Sequence, residues 1–311
     1  MSTLQQKILS RQNGILLYGL TPPKAGQSEE RLREIAEKQI ARVRNLAIDG
    51  LVLYDIQSEA ERTTVERPFP FIATVDPDVY SRDYLKQLAL PKIVYRCVGK
   101  YSRDEFTRWL AAENEDDSQT SNRYSVFVGA AATKAQRTQL SMSEAYALRN
   151  KLNPDLILGG VTIPERHLKR EDEHLRLAQK ISNGCSFFVS QAVYNVEASK
   201  NLLSDYYYAC LEQDQKPRPI IFTITPCGSP KTLEFMKWLG INIPRWLEND
   251  LLNSGDILQK SVDLCRATMR ELIAYAAEKN LPIGCNVESV AVRKAEIEAS
   301  VQLVEDIRTY F

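Results

Sequence analysis

Eight short runs rich in aliphatic and β-branched residues alternate with amphipathic segments along the chain. This alternation is typical of βα units built around a parallel sheet. The runs cover residues 14–20, 50–56, 91–98, 123–131, 155–163, 185–193, 218–225 and 282–289. An open doubly wound sheet usually carries a glycine-rich turn after its first strand, and this sequence has no such motif. Eight units in 311 residues therefore predict an α/β fold, a (β/α)8 TIM barrel.

Apolar residues three and four positions apart predict the helices between these strands. The helices cover residues 28–46, 102–112, 141–152, 168–181, 196–211, 229–239, 256–279 and 292–310. Residues 1–311 are predicted to form one barrel domain, with extra helices around residues 240–280 and at the C-terminus. Residues 71–75 are a candidate ninth strand within the long connection after the second strand.

Composition and charge restrict the partners that this chain can have. Forty basic and forty acidic residues give a formal net charge of zero, which argues against a nucleic-acid binder. No apolar run approaches the roughly 20 residues that cross a bilayer, and the N-terminus lacks the apolar stretch of a signal peptide. We therefore predict a cytoplasmic protein with no membrane partner. Six cysteines without CxxC spacing and only two histidines argue against a disulfide framework and a metal site.

Polar residues collect where the predicted strands end, which is where a barrel of this kind carries its active site. The candidates are Tyr18, Pro22, Pro23, Asp55, Thr162, His167, Glu173, Lys180, Gln191 and Glu288. Two consecutive prolines form either a rigid wall of the site or a plain stiff turn. Gln191 lies among apolar residues, so its amide needs partners, either the edge of a heterocycle such as a pterin or flavin, or another protein group.

Two basic residues and a carboxylate follow the fifth predicted strand. His167 could donate a hydrogen bond to a phosphate or a flavin, or it could simply begin a surface helix. Lys180 could reach a cofactor phosphate, or it could lie solvated on an exposed helix face. Glu173 lies in the first turn of the following helix, where a negative charge also complements the helix dipole.

Four segments, in this order and at this spacing, resemble the methylenetetrahydrofolate reductase family. They are LLYGLTPPK at residues 16–24, PERH at residues 164–167, KISNGCSFFVSQAVYN at residues 180–195 and PIIFTITPCGSPKTLEFMKWLGINIPRWL at residues 219–247. The similarity extends over residues 16–252, and more loosely to the eighth strand. Each motif alone is weakly specific, and their shared order makes the resemblance specific.

The resemblance implies a flavoprotein barrel that reduces 5,10-methylenetetrahydrofolate to 5-methyltetrahydrofolate, with FAD carrying hydride from NAD(P)H. The family's FAD-contacting histidine and basic residue correspond to His167 and Lys180, and its pterin-binding glutamine corresponds to Gln191. A family carboxylate that holds the ribityl or ribose part of the flavin corresponds to Glu173. The resemblance also implies a folate-class substrate, for which Pro22 and Pro23 are further contacts, and a homo-oligomer.

The sequence departs from the family pattern at three places. Gly19 stands where the family has the glutamate that protonates the folate ring as it opens. Residues 129–132, Gly-Ala-Ala-Ala, replace an Arg-Gly-Asp sequence whose aspartate tunes the flavin. Thr162 lies around the place of a flavin-contacting tyrosine and is kept as a candidate cofactor contact.

A carboxylate on a neighbouring strand could replace the missing acid, because the strand ends of a barrel converge on one cavity. Asp55 is the preferred candidate, since the second strand neighbours the first. Glu288 is the alternative, and Tyr18 could relay a proton if its side chain points inward. Two other functions fit the same residues: a folate-binding barrel without reductase activity that acts as a non-catalytic partner, and a folate-linked one-carbon transfer enzyme without flavin.

Overall fold

Eight parallel strands close into a barrel in their order along the chain, and β8 pairs with β1. The computed structural model describes residues 3–58, 63–115, 123–129 and 139–311. The strands are β1 Ile15–Leu20, β2 Gly50–Leu53, β3 Lys92–Cys97, β4 Tyr124–Val128, β5 Ile157–Thr162, β6 Cys185–Ala192, β7 Ile220–Ile224 and β8 Ile283–Glu288. The predicted (β/α)8 barrel is confirmed. The predicted fourth strand reaches residue 131, and its last two residues lie outside the described ranges.

Helices follow each strand and pack around the barrel. They are α1 Leu4–Leu9, α2 Glu29–Val43, α3 Pro77–Val79, α4 Arg103–Glu115, α5 Met142–Leu152, α6 Pro164–Arg170, α7 Glu173–Ser182, α8 Val196–Glu212, α9 Pro230–Trp238, α10 Arg245–Leu252, α11 Ile257–Glu278 and α12 Lys294–Arg308. The helix predicted over residues 168–181 is wrong in one respect, because Glu171 adopts φ 52° and separates α6 from α7. No helix among the described residues is long and apolar enough to span a bilayer.

Alternate residues of the strands face two different apolar layers, as the period of a β-strand requires. Leu17, Val52, Ile93, Phe187 and Ile221 are among those that fill the barrel interior. Leu4 and Ile8 of α1 join this inner layer, so α1 packs against one end of the barrel. The residues between them on each strand face the surrounding helices and form the larger outer layer. The direction of every polar residue near a strand end is fixed by the same alternation.

Residues 71–75 form no ninth strand of the barrel. They make a single antiparallel bridge, Lys24 with Thr74, beside the exit of β1. The Ala25 N–H donates to the Ala73 carbonyl at 2.8 Å on one side of this bridge. We call residues 63–75 the strap.

The strap reaches from the exit of β1 to the helix that follows β7. The Trp238 indole N–H at the end of α9 donates to the Val65 carbonyl at 3.0 Å. The Arg67 guanidinium lies 5.0 Å from the ring centroid of Trp238 and 5.2 Å from that of Phe235. The long connection after β2 is therefore fastened at both ends, across strands that are not its sequence neighbours.

Closure of the barrel depends on close backbone contact between β1 and β8, and one glycine allows it. A Cβ at Gly284 would lie 2.4 Å from the backbone oxygen of Ile15. We expect Gly284→Ala to lower the free energy of unfolding by about 1–3 kcal/mol, because neighbouring backbone cannot yield as a side chain can. Gly255→Ala is the matched control, since a Cβ there meets no atom within 4 Å. Urea unfolding measures both; equal effects would contradict the argument.

Candidate active site

Gly19 and Glu288 are directly paired across the seam between β1 and β8. A Cβ placed on Gly19 would lie 2.9 Å from the Tyr54 hydroxyl oxygen and 3.1 Å from the Cβ of Glu288. The space that a side chain at residue 19 would need is therefore filled by Tyr54 and Glu288. Glu288 thus lies beside residue 19, the position at which the resemblance leads us to expect an acid.

A chain of hydrogen bonds connects Glu288 with Tyr54, with Asn286 on its own strand and with Thr223 on β7. The Tyr54 hydroxyl, just after β2, lies beside Glu288 in the space next to Gly19, and its hydrogen bond to the carboxyl lowers the pKa of Glu288. The Asn286 amide nitrogen donates to the Tyr54 hydroxyl at 2.7 Å and to the Thr223 hydroxyl at 3.1 Å. These four residues form a polar network at the carboxyl end of an otherwise apolar interior.

Burial dominates the electrostatics of this network. It raises the pKa of Glu288 to about 7, against the lowering effect of the Tyr54 hydrogen bond. Burial also raises the pKa of Tyr54 well above its ordinary value, and the Glu288 charge adds to that effect. Glu288 is the carboxyl of the barrel interior that is poised to exchange a proton near neutral pH.

Asp55, the acid preferred from sequence, does not belong to this network. Its side chain is fully buried, and Oδ2 accepts hydrogen bonds from the Cys97 backbone N–H at 2.7 Å and from the Tyr101 hydroxyl at 3.0 Å. Oδ1 pairs with Lys100. Because Tyr54 faces the interior, its neighbour Asp55 faces outward. Asp55 ties the end of β2 to the end of β3, which corrects its assignment as the relocated acid.

Tyr18 fails the condition on which its proposed relay depended. It precedes the inward-facing Gly19, and its own side chain is buried in the outer apolar layer. Its hydroxyl lies 2.9 Å from the Ser300 Oγ on α12. The phenol therefore joins the barrel to α12 and does not face the interior.

The three residues predicted to bind substrate lie around the same end of the barrel. Gln191, near the end of β6, is partly exposed, and its amide nitrogen donates to the Leu239 carbonyl at 3.1 Å. Within the described ranges, no donor to its Oε1 is recorded, so that atom can accept a hydrogen bond from a ligand. Pro22 and Pro23 are buried, and the Pro23 carbonyl accepts the Val75 N–H of the strap at 2.9 Å. Pro23 thus helps to hold the strap in place.

Thr162 and Glu173, two of the predicted cofactor contacts, bind each other outside the barrel. The Thr162 hydroxyl donates to Glu173 Oε1 at 3.2 Å, and the Ile163 N–H donates to the same atom at 3.1 Å. Arg166 clasps the Glu173 carboxylate with its Nε and Nη2 at 2.6 and 2.7 Å. The Glu173 side chain is fully buried. This pairing locks α6 and α7 against the end of β5.

His167 and Lys180, the other two predicted cofactor contacts, are also engaged by the protein. The buried His167 places its Nε2 2.9 Å from Asp205 Oδ2 of α8, and its Nδ1 accepts the Glu173 N–H at 3.3 Å. The Lys180 ammonium donates to the Val161 carbonyl, and burial lowers the pKa of Lys180. The structure brings all four predicted cofactor residues together, but their polar atoms already have protein partners.

His167, His174 and Asp205 offer three ligand atoms within 4.8 Å of one another, which raises the question of a metal. Since Nδ1 of His167 accepts a backbone N–H, the neutral ring carries its proton on Nε2 and donates it to Asp205. A metal on Nε2 would need the opposite tautomer, with Nδ1 donating. The hydrogen bonds therefore favour a structural histidine.

Sequence reasoning missed Tyr54 and Asn286. Tyr54 lies within a run of apolar residues, where an aromatic is ordinarily a core residue, and Asn286 lies between Cys285 and Val287 inside the eighth predicted strand. An available signal was the glycine at residue 19, since a missing side chain facing a barrel interior requires a neighbour to fill the space.

A model of the family described as methylenetetrahydrofolate reductase matches residues 134–279. An uncharacterized protein from Clostridium thermocellum, described as binding two copies of 5-methyl-5,6,7,8-tetrahydrofolic acid, is 55% identical to this chain. Its structure superposes with a TM-score of 0.88, with 99% of this chain and 100% of that chain covered. A GH113 β-1,4-mannanase shares only the fold, at 13% identity, a TM-score of 0.52, and coverage of 94% and 98%. No curated protein matches this chain.

The internal pairing of Glu173 predicts a large structural effect of its removal. We expect Glu173→Gln to lower the free energy of unfolding by about 3 kcal/mol, because Arg166 would keep a charge without its partner. Asp172→Asn is the matched control on the same helix terminus, where the ion pair with Arg176 lies at the surface and little change is expected. Denaturant unfolding compares them, and a Glu173→Gln protein as stable as Asp172→Asn would refute the structural role.

A raised pKa of Glu288 predicts a pH-dependent stability. The folded protein binds a proton that the unfolded chain releases between its ordinary pKa of 4.5 and about 7, so this carboxyl favours folding at low pH and opposes it as pH rises. Glu288→Gln should therefore be more stable than the wild type at pH 8, by on the order of 3 kcal/mol, and similar at pH 4. Thermal melts across this range test it; parallel curves would exclude the raised pKa.

Proposed function

Because this chain belongs to the methylenetetrahydrofolate reductase family, we propose that it binds a reduced folate at the carboxyl end of its barrel. We further propose that Glu288 is the acid for one-carbon chemistry on that ligand. The observation that carries this proposal is the direct pairing of Glu288 with Gly19, the position at which the resemblance expects an acid. The acid function has moved by one strand, from β1 to β8, within the same cavity.

Folate binding is supported by the 55%-identical Clostridium thermocellum protein, whose description names a reduced folate as its ligand. Gln191 supplies the matching chemistry, because a carboxamide offers an acceptor to the N–H groups of a pterin edge. Its contact with Leu239 fixes the amide and leaves Oε1 for the ligand. We propose Gln191 as the residue that orients the pterin.

The proposed role of Glu288 follows from its protonation state. A carboxyl with a pKa of about 7 carries a proton in a large fraction of molecules at neutral pH. When this proton is transferred to one amine nitrogen of 5,10-methylenetetrahydrofolate, the bond from that nitrogen to the methylene carbon breaks and the five-membered ring opens. The methylene carbon and the other nitrogen then form an iminium that can accept hydride. Tyr54 and Asn286 then hold the carboxylate that remains.

The flavin implied by the resemblance does not fit the described residues that would hold it. His167 and Glu173 are paired with Asp205 and Arg166, and the Lys180 ammonium gives one of its hydrogens to the Val161 carbonyl. The expected position of the flavin-tuning aspartate, residues 130–132, lies outside the described ranges. We therefore derive no step through FAD, and NAD(P)H is the proposed source of hydride for a reduction.

The contacts of His167, Glu173 and Lys180 with protein groups favour a second candidate function, a folate-binding barrel without reductase activity. Absorption of the purified protein and NADH or NADPH oxidation with 5,10-methylenetetrahydrofolate separate the two candidates. Turnover supports the reductase; folate binding without turnover supports the second. Flavin bands in the spectrum, or tight uptake of added FAD, would show that the pairing of His167, Glu173 and Lys180 must open and would overturn our assessment of the cofactor.

Two substitutions test the proposed residues separately. Calorimetry with 5-methyltetrahydrofolate should show binding about tenfold weaker for Gln191→Leu, the loss expected for one hydrogen bond. Glu288→Gln should bind nearly as tightly but turn over 5,10-methylenetetrahydrofolate about 10²-fold more slowly. The controls Gln179→Leu and Glu298→Gln change the same residue types on exposed helix faces. Unchanged binding in Gln191→Leu, or full turnover in Glu288→Gln, would exclude the assigned role.

A further inference from the structure

The hydroxyl of Tyr54 has two neighbours with different hydrogen-bonding abilities. The Asn286 amide nitrogen is a donor, so at 2.7 Å the hydroxyl oxygen accepts from it. The Glu288 carboxylate is an acceptor, and the proton of the same hydroxyl is free to point to it. The direction of the hydrogen bonds therefore runs from Asn286 through Tyr54 to Glu288.

Asn286 presents its amide nitrogen to a second hydroxyl as well. It is fully buried, and its second amide hydrogen is directed to the Thr223 hydroxyl at 3.1 Å on β7. Both hydrogens of the amide are thus used by residues on the two sides of β8. The Asn286 Oδ1 is buried without a hydrogen-bond partner. A half-turn of the amide would exchange its nitrogen and oxygen and reverse both hydrogen bonds, so their direction is the property that the experiment tests.

We propose that Tyr54 is a positioning residue for Glu288, oriented by Asn286 so that its hydroxyl donates to the ionised carboxylate. The assignment rests on the proposed role of Glu288 as the acid. It adds a residue that stabilises the deprotonated carboxyl after the proton has left, and fixes where that carboxyl points. The space for the Tyr54 hydroxyl exists because residue 19 has no side chain.

Among the described groups around Glu288, Tyr54 is the one that donates a hydrogen bond to its carboxylate. The Glu288 charge raises the pKa of three tyrosines: Tyr54 just after β2, Tyr95 on β3 and Tyr18 on β1. Among the described residues, no ion pair to Glu288 is recorded, so no cation offsets its burial. Tyr95 packs edge to face on Tyr54, with ring centroids 4.9 Å apart, and has no recorded hydrogen bond to the carboxyl. Tyr95→Phe is therefore a matched control for Tyr54→Phe.

The experiment measures the Glu288 carboxyl directly, without any ligand. Protein labelled with [5-13C]glutamate is titrated by NMR, and the Glu288 signal is assigned by its loss in Glu288→Gln. Tyr54→Phe should raise the pKa of Glu288 by about 1 pH unit or more, because the ionised form loses its donor. Asn286→Leu should raise it in the same direction, and Tyr95→Phe should leave it unchanged. Circular dichroism confirms that each variant is folded.

An unchanged titration in Tyr54→Phe, or an equal rise in Tyr95→Phe, would overturn the positioning role. If Asn286→Leu does not fold, the comparison of the two tyrosine variants still decides. Because the titration needs no folate, its outcome is independent of the proposed function. If Glu288→Gln leaves folate turnover unaffected, Glu288 is not the acid, and the titration still tests the hydrogen bond from Tyr54. If Tyr54→Phe shifts the pKa of Glu288, the positioning role of Tyr54 holds whatever the turnover shows.

Discussion

The absence of a side chain at residue 19 is the constraint around which the carboxyl end of the barrel is arranged. A Cβ there would meet Tyr54 at 2.8 Å and Glu288 at 3.1 Å, contacts that a packed interior cannot absorb without displacing one of them. Glycine at this place is therefore a space reserved for two other side chains. Tyr54 fills it from β2, Glu288 fills it from β8, and Asn286 holds both through one hydroxyl.

The barrel was predictable from the sequence because strand and helix periods are local properties. Eight apolar runs and the helices between them specify the architecture, and the eight strands of the structure lie within the predicted ranges. The break between α6 and α7 was not predictable in this way, since it depends on one residue, Glu171, that adopts a left-handed conformation. Residues 71–75 were predicted as a candidate ninth strand, but they make only one bridge, from Thr74 to Lys24 at the exit of β1, and that partner is distant in sequence.

The site was predictable as a set of residues but not as a set of contacts. Strand-end position identified Gln191 and Glu288 correctly as groups at one end of the barrel, but it could not tell inward from outward at Tyr18 and Asp55. A shift of one residue along a strand turns a side chain from the interior to the outside, and the predicted strand ends were uncertain by at least one residue. The cofactor candidates show a second limit. A resemblance predicts which residue types occupy a site but not what they contact, and here His167, Glu173 and Lys180 form hydrogen bonds with nearby backbone groups of the protein.

The strap has a consequence for the order in which the molecule assembles. Its two fastenings lie on segments that are separated by about two thirds of the chain, Pro23 to Ala25 at one end and Trp238 at the other. Contacts between such distant segments carry a high entropic cost until the intervening chain is ordered. The strap therefore gains its second anchor only once β7 and α9 have formed, so a nascent chain released before α9 would have a barrel entrance bounded on one side alone.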